Sequence, residues 1–273
     1  MRHFSRPLAA LILAAMALPM AGCAGLGLGG KKTSADTQYV ARDVNTLYNS
    51  AKDRLDRRDY KTAAALFDEV ERQHPYSIWA RRAQLMSAFS YYAAKDHEKS
   101  IESARRFLAI HPGNKDAPYA LYLIGVNYYE QITDVTRDQS TTRSALDSLG
   151  ELIRRYPETR FAADARIKTD LVRDHLAGKE MEIGRFYQRR GQWLASVSRF
   201  RSVVDEYETT THAPEALMRL TESYLALGVT EEARKAAAVL GANYPGSKWY
   251  ERAYSLMQKH GGTATAAAAT AAS

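Results

Sequence analysis

The chain has 273 residues, 45% of them hydrophobic and 25% charged, which suits a globular protein with a substantial core and excludes a disordered polymer. Its formal charge of +7 is spread along the whole length, with no run of Lys and Arg interleaved with stacking aromatics, so nucleic acid is not expected as a partner. One cysteine cannot form an intramolecular disulfide, and stability must come from packing.

The first element is a leader. Arg2 and Arg6 precede an apolar run from Leu8 to Met20, too short and too rich in alanine to span a membrane. It ends in Leu18-Pro19-Met20-Ala21-Gly22-Cys23, where small residues precede the only cysteine. This pattern reads as a lipoprotein signal over residues 1–22, with Cys23 as the lipid-bearing first residue of the mature chain. An ordinary cleavable signal with an incidental cysteine is the other reading. Position 24 is Ala, not the Asp that retains bacterial lipoproteins at the inner membrane. The expected location is therefore the outer membrane, lipid-anchored and facing the periplasm. Residues 23–38, rich in Gly, Lys, Thr and Ser without a periodic apolar face, read as a flexible tether. From Gly261 only Gly, Thr, Ala and a terminal Ser occur, which reads as a disordered tail over residues 261–273.

Between these ends runs an internal repeat. An aromatic-proline step recurs as His74-Pro75, His111-Pro112, Tyr156-Pro157, Tyr207-Glu208 (proline replaced) and Tyr244-Pro245, at intervals of 37, 45, 51 and 37 residues. Eight residues beyond each step stands an alanine: Ala83, Ala120, Ala165, Ala216 and Ala253. Eleven residues before each aromatic stands a small residue (Ala63, Ser100, Ala145, Ser196, Ala233), and four before it a bulky one (Val70, Phe107, Leu152, Val203, Leu240). Small and large residues at helical spacing describe a face that approaches a neighbouring helix closely. A second set, Ala88 with Tyr91, Gly125 with Tyr128, Gly184 with Tyr187 and Thr221 with Tyr224, marks the first helix of each pair; Ala51, with Tyr48 a turn earlier, is the weaker match in the first.

The longest interval carries 14 extra residues before Tyr187, close to four helical turns, and predicts one long helix over residues 161–190 with its buried face still turned inward. The 45-residue interval gains its length in a polar stretch, residues 129–142, expected as a loop. With no β-branched alternation or hairpin signal, the fold class is all-α. It is a right-handed solenoid of about five helix-turn-helix units, the long helix falling in the fourth.

The small-x-x-Tyr of the first helices, the Ala63-to-Phe67 and Ser196-to-Phe200 spacing of the second and the closing proline resemble the tetratricopeptide repeat. At closer range the chain resembles the repeat lipoproteins of the outer-membrane β-barrel assembly machinery. The carriers are Tyr48-x-x-Ala51, His74-Pro75-Tyr76-Ser77, Tyr91-Tyr92, Phe107-Leu108-Ala109-Ile110-His111-Pro112 and Arg154-Arg155-Tyr156-Pro157. The most specific is Phe186-Tyr187-x-Arg189-Arg190-Gly191-x-Trp193-x-x-x-Val197-x-Arg199. The resemblance implies a non-catalytic subunit without a cofactor, apart from the N-acyl and S-diacylglycerol lipid on Cys23. Repeats 1–3 (residues 39–157) would form a groove for unfolded outer-membrane β-barrel proteins. Repeats 4–5 (residues 158–260) would dock on the periplasmic domains of the barrel subunit, BamA, alongside other assembly lipoproteins. A shorter connector at residues 131–142 and the Ala/Thr tail depart from some members. A periplasmic repeat lipoprotein serving as adaptor for cell-wall or cell-division enzymes is the alternative.

No catalytic constellation is present: the seven histidines are scattered, and HExxH, paired-cysteine, GxSxG and phosphate-loop patterns are missing. Two binding sets are expected. Tyr48, Tyr76, Trp79, Tyr91 and Tyr92 would line the substrate groove, aromatics giving large contact area with a polar tip; their other reading is repeat-ladder core. Arg189, Arg190, Trp193 and Arg199 would face the barrel subunit, and the resemblance implies an ion pair between Arg199 and an acid of BamA. Their other reading is solvated helix charge.

Overall fold

The computed structural model describes residues 43–271, with side chains as far as residue 260, so the leader, Cys23 and the tether lie outside the described residues. Among the described residues there are eleven α-helices and no strand. They are α1 (Val44–Asp56), α2 (Tyr60–Gln73), α3 (Ile78–Ala93), α4 (His97–Ile110), α5 (Ala117–Glu130), α6 (Ser140–Arg155), α7 (Arg160–Arg189), α8 (Trp193–Glu206), α9 (Ala213–Ala226), α10 (Thr230–Asn243) and α11 (Lys248–Ala271). Each packs on the next, and first helices also touch one another: α1 on α3, α3 on α5, α5 on α7 and α9 on α11. This is a tetratricopeptide-like solenoid of five pairs, closed by α11 as an unpaired first helix that caps the last pair.

The helix ends follow from local chemistry. Asp43, Ser77, Asp96 and Thr159 accept hydrogen bonds from free N–H groups of the first turns of α1, α3, α4 and α7, and Pro118 and Pro214 occupy first turns where no N–H is needed. At the other end, His74, His111, Tyr156, Tyr207 and Tyr244 share one backbone conformation. Each leaves its helix with φ between −129° and −138° while donating its N–H to the carbonyl of the bulky ladder residue four before it. The proline that follows four of them cannot continue a helix. The aromatic-proline step is therefore a stop signal.

The repeated alanines and the small and bulky positions of the second helices are all core. The alanines Ala83, Ala120, Ala165, Ala216 and Ala253 are fully buried, as are Ala63, Ser100, Ala145, Ser196 and Ala233, and Val70, Phe107, Leu152, Val203 and Leu240 are at most 1% exposed. Small residues are required where backbones close in. A Cβ on Gly125 would lie 2.5 Å from Leu149 Cδ2, and one on Gly184 would lie 2.4 Å from Phe200 Cε1. A second ladder joins the first helices: an aromatic in the first turn of one packs on a residue of the one before. Trp79 lies 4.6 Å from Tyr48 between ring centroids, Phe161 lies 5.4 Å from Tyr122, and Trp249 packs in one cluster with Met218.

The long helix spans 30 residues within one position of its expected bounds. Its single inward face is corrected, however. Ala162, Ala165, Val172 and Leu176 share one face and pack with α5 and α6, whereas Ala177, Met181, Gly184 and Gln188 share another, turned by about a third of a turn. The second face packs with α8 and meets α9. The physical reason is that the two halves have different partners: the first completes the stack of α1–α6, and the second begins that of α8–α11. Where they join, Lys179 donates to the carbonyl of Thr136 in the α5–α6 connector, and Asp174 accepts from the Thr211 N–H and hydroxyl in the α8–α9 loop.

Part of the stretch expected as a disordered tail carries helical backbone. The helical backbone of α11 continues through Gly261 to Ala271. Alanine is the strongest helix former, and its run outweighs the cost of two glycines, about 1 kcal/mol each.

Candidate binding surfaces

The structure divides the five expected groove aromatics. Tyr48 and Trp79 meet each other, and Tyr48 also packs edge-on against buried Phe67 at 5.4 Å, so this pair belongs to the inter-repeat ladder. Tyr91 turns back to α2, donating to Asp68 at 2.7 Å, and Tyr76 stands fully exposed in the α2–α3 turn. Tyr92 reaches across to the following first helix by a hydrogen bond, donating to Glu130 on α5, which also accepts from Lys95 at 2.6 Å.

Tyr92 belongs to a strip that sequence reasoning missed. One repeat further on, Tyr122 donates to Asp164 on α7 at 2.7 Å, and Lys168 donates to the same carboxylate at 2.7 Å. Between them, Tyr119 and Tyr122 both pack on Phe161, with ring centroids 5.3 and 5.4 Å apart. Burial, then the carboxylate each one meets, pushes the Tyr92 and Tyr122 phenols well above the usual tyrosine range, and burial pushes Tyr119 up to about 12. Burial alone would raise Glu130 and Asp164, but hydrogen bonds from the lysine and tyrosine outweigh it and hold both below the ordinary carboxylate range. At neutral pH the strip is thus protonated phenols over ionised, paired carboxylates. It offers half-buried rings with fixed polar tips to an extended chain. The repeat register contained the signal, since Tyr119 and Tyr122 flank Ala120 and Phe161 precedes Ala165 by four.

Beside Tyr48 lies a cleft of about 410 Å³, lined by Arg81, Arg82, Leu85, Met86 and residues 114–116 of the α4–α5 loop. Arg82 stacks over the Trp79 ring at 5.5 Å. This end of the stack is cationic and aromatic together.

The second expected set clusters at the α7–α8 turn. The Arg190 guanidinium lies 4.2 Å from the centroid of exposed Phe186, Arg189 is 3.7 Å from Glu182, and half-buried Trp193 opens α8 beside exposed Leu194. Arg199, one turn and a half further along α8, donates to Glu180 of α7 at 3.1 Å, so part of its charge is answered within the chain. Behind the turn lies an ionic layer absent from the sequence reading. Arg185 holds Glu215 through two 3.0 Å hydrogen bonds, and Arg219 joins Glu215, Glu222 and Gln188. Burial would raise the Glu215 carboxyl, but Arg185 and then Arg219 outweigh it and hold it low. These partners lie about thirty residues apart and become neighbours only through the stacking.

Among the described residues, no three His, Cys, Asp or Glu side chains are grouped as a metal site, and no helix is long and apolar enough to cross a membrane. What the fold defines is a helical-repeat scaffold. The sequence model of one family, described as "Outer membrane lipoprotein" (YfiO), matches residues 40–240, and the chain belongs to that family. It is 46% identical to "Outer membrane protein assembly factor BamD" of Caulobacter vibrioides, over 94% of this chain and 82% of that one. It is 44% identical to the protein of the same name from Rickettsia prowazekii, over 86% of this chain and 94% of that one. Among solved structures it is similar to the P58(IPK) TPR domain, with 15% identity, a TM-score of 0.41, and 79% of this chain and 56% of that one covered. The chain is thus an outer-membrane protein assembly factor.

Proposed function

We propose that the chain, anchored in the outer membrane through lipid on Cys23 and facing the periplasm, holds unfolded β-barrel proteins along its first three repeats. The last two repeats join it to BamA and the accessory lipoproteins of the machinery. It works by binding alone: no bond of the client is made or broken. The observation that supports this reading best is the half-buried strip Tyr92, Tyr119, Tyr122 and Phe161, running across three successive first helices with the cationic cleft at its near end. A strip of spaced rings suits a segment that carries side chains at every second residue. The contrast at the other end, where Arg189, Arg190 and Arg199 gather around Phe186 and Trp193, suits a folded partner with acidic side chains.

Isolation of the lipidated protein in mild detergent tests it. BamA in near-equal amount is the expected result, and Arg199→Glu should reduce its recovery by about tenfold or more. Recovery of cell-wall hydrolases or division proteins instead would establish the adaptor reading. Tyr119→Ala with Tyr122→Ala should weaken capture of an unfolded barrel protein while leaving BamA recovery unchanged.

A further inference from the structure

In each regular repeat the residue two places after the repeated alanine receives the following first helix. Tyr122 is packed by Phe161 and Asp164 of α7, and Met218, fully buried, shares a cluster with Trp249 and Ala253 of α11. In α7 that residue is Ile167. The first helix due to cover it is α9, whose corresponding aromatic, His212, approaches α7 at Gly178 instead, three turns further on. Ile167 is consequently 65% exposed and Leu171, one turn along the same face, 54% exposed; Ala163, one turn before, is exposed too. Sequence places apolar residues at i, i+4 and i+8 here, and the step in the stack leaves them uncovered.

We infer that this stripe is a docking seat for an amphipathic helix of a partner protein, one that carries an aromatic residue in its first turn and acidic residues along one flank. The shape of the occupant follows from the chain's own precedents: the two seats above are filled by a helix leading with Phe161 or Trp249. Its charge follows from the rim. Arg166 and Arg173 engage only the backbone carbonyls of Pro157 and Glu206, and Arg160 rests over Phe161 at 4.9 Å. None of the three has a carboxylate partner among the described residues; of the acids beside them on α7, Asp174 is engaged by Thr211 and His212, which leaves Asp170. On the far rim Asp164 and Lys168 already neutralise each other. Three open guanidiniums beside an apolar stripe complement an acidic helix and disfavour a basic one. This seat borders the aromatic strip at Phe161, Asp164 and Lys168 and lies away from the α7–α8 turn; Ile167 and Leu171 themselves belong to neither surface.

A photo-crosslinking residue placed at Ile167 in the full-length lipidated protein, activated in intact cells, reads the seat directly. The expected adduct is with one protein, mapped to a helical peptide bearing Asp or Glu and an aromatic near its start. Leu171→Lys should cut its yield about tenfold or more. Arg166→Glu with Arg173→Glu should do the same, and Lys substituted for the partner's mapped acids should restore it. Unchanged circular dichroism and thermal unfolding of the Leu171→Lys protein separates lost docking from lost folding. An adduct with a second copy of the chain, with its own residues 248–271, with an extended or basic peptide, or with nothing overturns the inference.

Discussion

Two first helices of the same solenoid, α5 and α7, solve one packing problem differently. Over its 14 residues α5 buries Ala117, Pro118, Ala120, Leu121, Leu123, Ile124, Gly125, Val126 and Asn127, nearly all round, because the preceding and following repeats press on the same four turns. The 30-residue α7 meets the same two sets of neighbours in succession, one on each half, and each half keeps one side free. Doubling a helix therefore does more than lengthen a repeat. It converts core positions into surface without changing their apolar character, and it makes one rigid element join two stacks.

The largest expected effects compare the same residue class on that one helix. Met181→Ala removes a fully buried side chain from the second half and should cost about 2–5 kcal/mol of stability. Ile167→Ala, fourteen residues earlier and also apolar, should change stability by no more than about 0.5 kcal/mol. Urea unfolding of the two variants side by side checks this. Equal losses would mean that Ile167 is covered by the chain itself and that the two halves are not different after all.

Close approach should instead be alike in both helices. Gly184→Ala would drive a methyl group into the buried Phe200 ring, and Gly125→Ala into Leu149. Overpacking costs about 1–3 kcal/mol, and the helix-propensity gain of about 1 kcal/mol offsets only part of it. Both variants should be less stable by up to about 2 kcal/mol in thermal unfolding. A stabilised Gly184→Ala protein would show that the α7–α8 contact is looser than its α5–α6 counterpart.

The ionic layer gives a third contrast, between α7–α9 and the aromatic contacts of the earlier first helices. Glu215 is held below its ordinary value, so the unfolded chain binds this proton more readily than the folded one. Its contribution is complete above about pH 4.5 and is lost as the pH falls through the lower folded-state value. Glu215→Gln should cost about 1–3 kcal/mol at neutral pH and flatten the acid limb of the stability curve, read by denaturant unfolding from pH 7 to pH 3. An unchanged acid limb would assign acid sensitivity to other carboxylates.

What could be read from residue order is what close packing repeats. Ala120 and its counterparts, Gly125 and Leu152 recur because a helix pair admits few solutions at fixed spacing, and so the repeats and the bounds of α7 were legible. The turn of its buried face was not. Periodicity reports that apolar residues recur, and the side they face is set by partners far away in the chain; Ile167 and Leu171 look like core for that reason. The aromatic strip was legible only in part. Tyr92 was identified by its place after a repeat boundary, whereas Tyr119, Tyr122 and Phe161 act as a unit only once α5 and α7 are adjacent.

The smallest expected effect lies in the turns, where the two ends of the stack differ by sequence and agree in geometry. Arg58, Lys95, Gly191 and Gly228 follow the first helices α1, α3, α7 and α9 with φ of 61°, 61°, 70° and 75°. The left-handed conformation costs an ordinary residue about 1–2 kcal/mol, and glycine loses about 0.5–1 kcal/mol of chain entropy on folding. Arg58→Gly should then stabilise by up to about 1 kcal/mol, and Gly228→Ala should destabilise by about as much, with open space around its Cβ to exclude a steric cause. Lys95 is the less informative site, because its ammonium also holds Glu130. Opposite signs at Arg58 and Gly228 would show that the backbone path alone sets the cost. Equal signs would mean that the Arg58 side chain contributes as much as its backbone strain removes, and that the two ends of the solenoid turn their chains by different physics.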